Sequence, residues 1–266
     1  WESDAGPPKD SRWAALFAAT PNYRALGIRA LGGAALSDEK FRWEFGPMYY
    51  RGRLTPNNVK VFLVGQEGAQ DESASGRTFT GSTGTKLQNF LRVLGIDRSY
   101  LFMNTFTYTI HGQYAEMDGK VSPKTRWLAQ SPESPIVQHR HSMFNYMQEQ
   151  NAGAINLIIG VGQAGRDSVV TWVQSRWEQK TPGSGATKCA TITRCDASVI
   201  GPKVKVLGLP HPGAASPRNG GEGSLTSLSA APATSRATSS TSSSRAFRPI
   251  CKLRQRRVIQ GFPQPK

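Results

Sequence analysis

The sequence predicts an α/β domain with three layers, α/β/α, built on a central, mainly parallel sheet of four strands. Three observations carry this expectation. Short β-branched runs alternate with amphipathic stretches, the runs are apolar almost throughout, and each ends in a glycine-rich or polar connection. Alternation of this kind is the mark of βαβ units, and continuous apolar strands belong to sheets covered on both faces. At 266 residues and 38% hydrophobic content the chain can bury one such core beside other segments.

In chain order, residues 1–58 are expected to form a helical and loop region that packs on the core, with the aromatic stretch FRWEFGPMYYRGRL close to the sheet. The first strand is VKVFLVG at 59–65. A helix over 85–94 follows, because Leu87, Phe90, Leu91 and Leu94 recur at helical spacing and share one face. The second strand is SYLFMNTF at 99–106 and the third INLIIGVG at 155–162; helices are expected over 135–149 and 164–174. KVKVLGLP at 203–210 makes the fourth strand, and the core is bounded at 59–216. Residues 217–266 are Ser/Thr-rich and lack helical or strand periodicity, so a disordered basic tail is expected.

Charge points to a polyanionic partner. The formal net charge is +15, and such self-repulsion in a globular chain usually serves contact with phosphates. From Pro217 onward nine lysines and arginines face one acid, Glu222, so +8 of the +15 lies in the tail. That tail reads as a basic arm for non-specific phosphate contact, as an inert extension, or as out-of-frame translation. No apolar run approaches the roughly 20 residues of a bilayer span, so no membrane partner is expected. The three cysteines, Cys189, Cys195 and Cys251, lack paired CxxC spacing and are expected as free thiols in a reducing compartment. Without a leader pattern at its Trp1 start, the chain is expected in the cytoplasm, as bacterial-type cytosol or nucleoid.

Ligands of open parallel sheets bind outside the carboxyl ends of the strands. Those ends read GQEGAQDE, NTFTY, GVGQAGR and PHPGAAS. Taken alone, the first is also a plain βα connection whose glycines turn and whose acids cap a helix. It contains neither GxxxxGK[ST] nor GxGxxG, which argues against a triphosphate or dinucleotide.

Together the four ends resemble the uracil-DNA glycosylase superfamily. GQEG at 65–68 resembles the classical first motif GQDP, with glutamate for aspartate and glycine for proline. GRTFTGSTG at 76–84 is similar to the GRPFVGxAG segment of the iron-sulfur branch, and HPGAAS at 211–216 resembles the second motif HPSPLS. NTF at 104–106 stands where the family places a base-reading asparagine. The resemblance covers about 59–216.

The resemblance implies excision of uracil from single- or double-stranded DNA by a monomeric enzyme that leaves an abasic site. Such an enzyme takes the target nucleotide out of the stack into a pocket. Phe79 offers a flat platform for the base. Asn104 can donate and accept at once, as the N3 and O4 edge of uracil requires. Gln66 is expected as a pocket contact through its backbone or amide. Bond cleavage leaves positive charge on the sugar and negative charge on the base, so fixed charges of both signs are needed. Glu67 is expected to supply the negative side and orient water, with Asp71 and Glu72 as alternatives; His211 is implied as donor to the anion on uracil O2. Ser82, Thr83, Gly213 and Ser216 are expected at DNA phosphates. Arg218, Leu225 and Leu228 are candidates for the group that fills the space left by the flipped base. His111, His139 and His141 match no motif and are expected at the surface.

Departures from the family shape the expectation. No cysteine precedes Cys189, so no iron-sulfur cluster, metal or other cofactor is expected. Ala69 stands where classical enzymes carry the tyrosine that blocks the thymine methyl. Two alternatives therefore accompany the reading: a product-retaining or non-catalytic binder of uracil or abasic DNA, and a glycosylase for another deaminated base.

Overall fold

The computed structural model describes residues 4, 9, 11–22, 47–48, 50–109, 130–183 and 188–212. Among them, helix α1 (Arg12–Ala18) precedes strand β1 (Arg51–Gly52) and strand β2 (Val61–Gly65). Helices α2 (Gln70–Ser75) and α3 (Ser82–Val93) lead to β3 (Tyr100–Asn104). Helix α4 (Pro135–Gln150), β4 (Leu157–Val161), α5 (Gly162–Lys180), two 3-10 turns and β5 (Lys205–Leu209) complete the order.

Among the described residues the sheet has five strands, not the expected four, in the order β1-β3-β2-β4-β5. The four expected strands are present and parallel, each a little shorter at its ends than its apolar run. The addition is β1, which pairs antiparallel with β3 through Arg51 opposite Phe102 and Gly52 opposite Leu101. Two residues carry no periodicity, so nothing in the sequence announces this strand. Gly52 has φ +118°, and a Cβ there would stand 2.2 Å from the Tyr100 carbonyl oxygen. Glycine is what lets the chain lie against β3.

Every residue of β2, β3 and β4 is buried, and alternation along them feeds two apolar clusters. Phe62 and Val64 join Trp13 and Phe17 of α1, Phe144 and Met147 of α4, and Val169 and Trp172 of α5. Val61 and Leu63 join Phe79, Leu87, Phe90 and Leu91, the α3 stripe legible in the sequence. Trp13 and Phe17 seat α1 against Tyr146 and Tyr50, with ring centroids 4.9 and 5.7 Å apart. The tail expected from 217 and its boundary lie outside the described residues. Among the described residues no helix is long and apolar enough to cross a membrane.

Two further expectations are corrected. Cys189 and Cys195 form a disulfide instead of standing as free thiols. A 3-10 turn at Ile192–Arg194 lies between them, and their Cα atoms are brought to 4.3 Å apart. Cys251 lies outside the described residues. His139 and His141 are not surface residues: His139 is half-buried with Nε2 2.7 Å from the Leu16 carbonyl oxygen, and His141 is 9% exposed. Helix α4 buries Ile136, Val137, Arg140, His141, Met143, Phe144, Met147 and Gln148, more than one stripe, so its polar positions are covered too. Burial and the adjacent Arg140 guanidinium push the His141 pKa down to about 3, and the ring stays neutral in the folded protein. His111 lies outside the described residues.

Candidate functional site

The site is built at the carboxyl end of β2, where Gly65 pairs in register with Asn104, the last residue of β3. A Cβ on Gly65 would stand 2.2 Å from Phe79 Cζ and 2.4 Å from Asn104 Oδ1. The aromatic ring and the amide therefore meet over the bare Cα of Gly65. Asn104 is 7% exposed, and among the described residues no group hydrogen-bonds to its Oδ1. A buried acceptor left in this way costs about 1–3 kcal/mol. Such a group asks for a donor from outside.

Phe79 is held in an unusual backbone state. Its φ is +58°, in the left-handed region that bulky side chains avoid. Three contacts hold it there. The Arg51 guanidinium of β1 donates to its carbonyl, Gly84 leaves room for that same carbonyl, and its ring lies 5.1 Å from Phe102 at 64°. Strain of this kind persists only where the surroundings enforce it, and it gathers at functional positions. The extra strand thus has a task, which is to supply Arg51. Replacing Arg51 by methionine is expected to lower stability by about 1–3 kcal/mol, read as a lower urea midpoint; an unchanged midpoint would show that the carbonyl needs no such partner.

Between Gly65 and Phe79 the connection is organised by a carboxylate. Glu72 is 8% exposed; Oε2 accepts from the Ala69 amide at 2.9 Å, and Oε1 accepts from Thr80 and Gly81 at 3.0 and 3.3 Å. Ala69 caps α2 without a side-chain oxygen, so Glu72 alone serves this end of the capping pattern. Of the three acids weighed for the reaction, Glu72 is occupied in closing the loop and Asp71 is exposed on α2. Glu67 is half-buried, with Oε2 fully enclosed.

Gln66 points elsewhere. Its Oε1 accepts from the Ala164 amide at 3.1 Å, in the first turn of α5. Its side chain fills the space beside Gly162, where φ is +74° and a Cβ would lie 2.4 Å from Gln66 Cδ. The Gln66 amide oxygen thus anchors a helix start, and its backbone carbonyl accepts from the Phe106 amide at 3.3 Å. Behind it, the Thr105 hydroxyl donates to the Gly65 carbonyl and lies 2.8 Å from Ser168 Oγ, while Arg140 Nη1 donates to the Thr105 carbonyl at 3.1 Å. These buried polar contacts tie the ends of β2 and β3 to α4 and α5.

On the other side of the loop stands His211. It is half-buried, and burial lowers its pKa below the ordinary value; Glu72 opposes that shift and Lys86 adds to it. Lys86 Nζ donates to the Pro212 carbonyl at 2.9 Å. Ser82 and Thr83 occupy the first turn of α3, behind the N-cap Gly81, with Ser82 exposed and Thr83 half-buried. Helix starts of this length present unbonded amides to anions. Gly213, Ser216, Arg218, Leu225 and Leu228 lie outside the described residues.

A cavity of about 20 Å³ lies beside Thr78, Asn104, Thr105, Phe106 and Arg140, and none of Gln66, Glu67, Phe79 and His211 lines it. Its volume suits a single water. The Phe79 ring itself occupies the space over Gly65.

The structure thus gathers two groups, Gly65 with Phe79 and Asn104, and Glu72 with His211 and Lys86, joined by one loop. Sequence reasoning weighed acids of this loop as helix caps, which Glu72 is, but missed its contacts to Thr80 and Gly81 and the roles of Arg51 and Lys86, whose partners lie farther along the chain. No protein-family model matches the chain, and no curated protein matches it in sequence.

Proposed function

We propose that the chain is a uracil-DNA glycosylase that hydrolyses the N-glycosidic bond of a flipped deoxyuridine and leaves an abasic site. The observation that carries the reading is the buried Asn104 Oδ1, an acceptor beside an aromatic ring at the carboxyl edge of a parallel sheet. Uracil N3–H is a donor of the kind this atom lacks, and the Asn104 amide can return a hydrogen bond to O4. Helices against both faces of the sheet support a three-layer α/β/α architecture of the glycosylase type.

In this reading the Phe79 ring moves off Gly65 to receive the base. The bond between the sugar C1′ and uracil N1 breaks with its electron pair leaving on the base. His211, kept neutral, donates a hydrogen bond to the anion forming at O2. Glu67 faces the positive charge on the sugar and orients the water that adds to C1′, whose released proton passes by way of the carboxylate to the uracil anion and leaves C1′–OH and neutral uracil. Gln66 serves by holding the strand end to α5, while Ser82 and Thr83, with Gly213 and Ser216 beyond the described residues, meet the DNA phosphates, and Arg218, also beyond them, is a candidate to fill the space left by the base.

Time courses with uracil-containing single-stranded and duplex oligonucleotides, at enzyme excess and at substrate excess, test the reading. Uracil release with turnover is expected. A burst without turnover would assign the chain to product retention, and an absence of cleavage would sink the enzyme assignment. Release from hypoxanthine, xanthine or mismatched thymine substrates in place of uracil would assign another base. Asn104→Asp is expected to lower uracil excision at least about 100-fold, since a site built on paired hydrogen bonds rejects a mismatch strongly. Full uracil activity in that variant would remove base reading from Asn104.

A further inference from the structure

Lys86 stands one turn past the start of α3, on a helix whose neighbouring residues Leu87, Phe90 and Leu91 are committed to the core. Its side chain is half-buried and reaches a partner 126 residues away, the Pro212 carbonyl, at 2.9 Å. Pro212 follows His211 directly, so this bond fixes the backbone from which the imidazole projects. Two charges act on that ring from different elements: the Glu72 carboxylate from α2 and the Lys86 ammonium from α3.

We propose that Lys86 is a positioning residue for His211, which clamps the 211–212 segment to α3 and keeps a cation beside the imidazole so that the ring acts as a neutral donor. The inference rests on the glycosylase reading for its catalytic meaning and on geometry for its existence. A neutral imidazole still carries one N–H with which to meet the uracil anion. Glu72 pulls the opposite way, because a carboxylate near an imidazole favours its protonation. Glu72 is bound into the loop by three backbone amides and cannot withdraw. Burial opposes Glu72 most strongly, and Lys86 adds to it from α3.

A nearby cation disfavours the imidazolium, so removing it raises the His211 pKa. Burial, the first cause of the lowering, remains. In Lys86→Gln the ring therefore takes its proton at a higher pH than in the wild type, and any activity that needs it neutral is lost at a correspondingly higher pH. Lys86→Arg keeps the cation and preserves the wild-type behaviour.

The test is a histidine NMR titration of the full chain, with the His211 resonance assigned by its loss in His211→Gln, run beside pH profiles of single-turnover uracil release. Lys86→Gln is expected to move the His211 midpoint and the acid limb of the profile upward, and Lys86→Arg to leave both in place. An unmoved His211 midpoint in folded Lys86→Gln, or an equal shift in Lys86→Arg, would overturn the proposal. Lys86→Met, which keeps the apolar stem, carries the same expectation should the glutamine variant not fold. The titration needs no substrate. Failure of the wild type to release uracil would thus count against the glycosylase reading alone, while the midpoint still decides the role of Lys86.

Discussion

Exchange of Glu67 for glutamine is expected to lower the single-turnover rate of uracil release by about 100- to 1,000-fold, the usual effect of removing one preorganised electrostatic group from a transition state. Binding to uracil-containing DNA should stay within a few-fold of the wild type, because the substitution keeps the shape of the side chain while removing its charge and turning one acceptor oxygen into a donor. The neighbouring acids offer no replacement. Both Glu72 oxygens accept from backbone amides, and Asp71 is exposed on α2. Rapid-quench measurement at enzyme excess separates this loss from slow product release. Turnover retained in Glu67→Gln would move the role to Asp71, and loss of binding in parallel with rate would show that the side chain is structural.

The largest effect on the fold is expected at Gly84. A Cβ there would fall 1.6 Å from the Phe79 carbonyl oxygen and 2.4 Å from the carbonyl carbon. Both are backbone atoms, so no side chain can rotate away. Either the start of α3 or the 79–81 segment must shift, and overpacking of this kind costs about 3 kcal/mol. The shift would also disturb the Arg51 contact with that carbonyl and the Glu72 contacts to Thr80 and Gly81. Gly84→Ala should therefore lower the urea midpoint and, in the protein that remains folded, slow uracil release. A midpoint equal to that of the wild type would show that the loop yields without strain, and the enforced conformation of Phe79 would lose its support.

Much of the fold is legible in the sequence, and the reasons are physical. Strands β2, β3 and β4 are buried on both faces, so their apolar runs are unbroken and bounded by polar ends. Helix α3 shows its single stripe, whereas α4 is buried on more than one side and hides its polar positions, which is why His141 looks exposed in the sequence. Strand β1 is too short for a pattern, and α2 is a six-residue helix inside a glycine-rich connection. The disulfide escapes because its spacing matches no familiar ligand pair and depends on a turn between the cysteines.

The candidate site divides in the same way. Gly65 and Asn104 end two of the apolar runs and could be expected on one side of the sheet, whereas Phe79 lies in the loop between α2 and α3 and is placed at the base by the motif resemblance alone. What Gln66 does could not be read, because its partner is the start of a helix 98 residues on. Arg51 and Lys86 are ordinary cations in the sequence and acquire meaning only from the carbonyls they reach.

The short strand β1 also has a consequence for how this molecule meets its neighbours. An open sheet edge offers a row of carbonyls and amides on which a foreign strand can assemble. Here the outer carbonyl of Tyr100 is taken by the Arg53 amide at 2.9 Å, and that of Phe102 by the Thr78 hydroxyl at 3.1 Å. Two separate segments thus cover the β3 border in place of one long strand. In the folded molecule a foreign strand arriving at that border therefore finds these two carbonyls already taken.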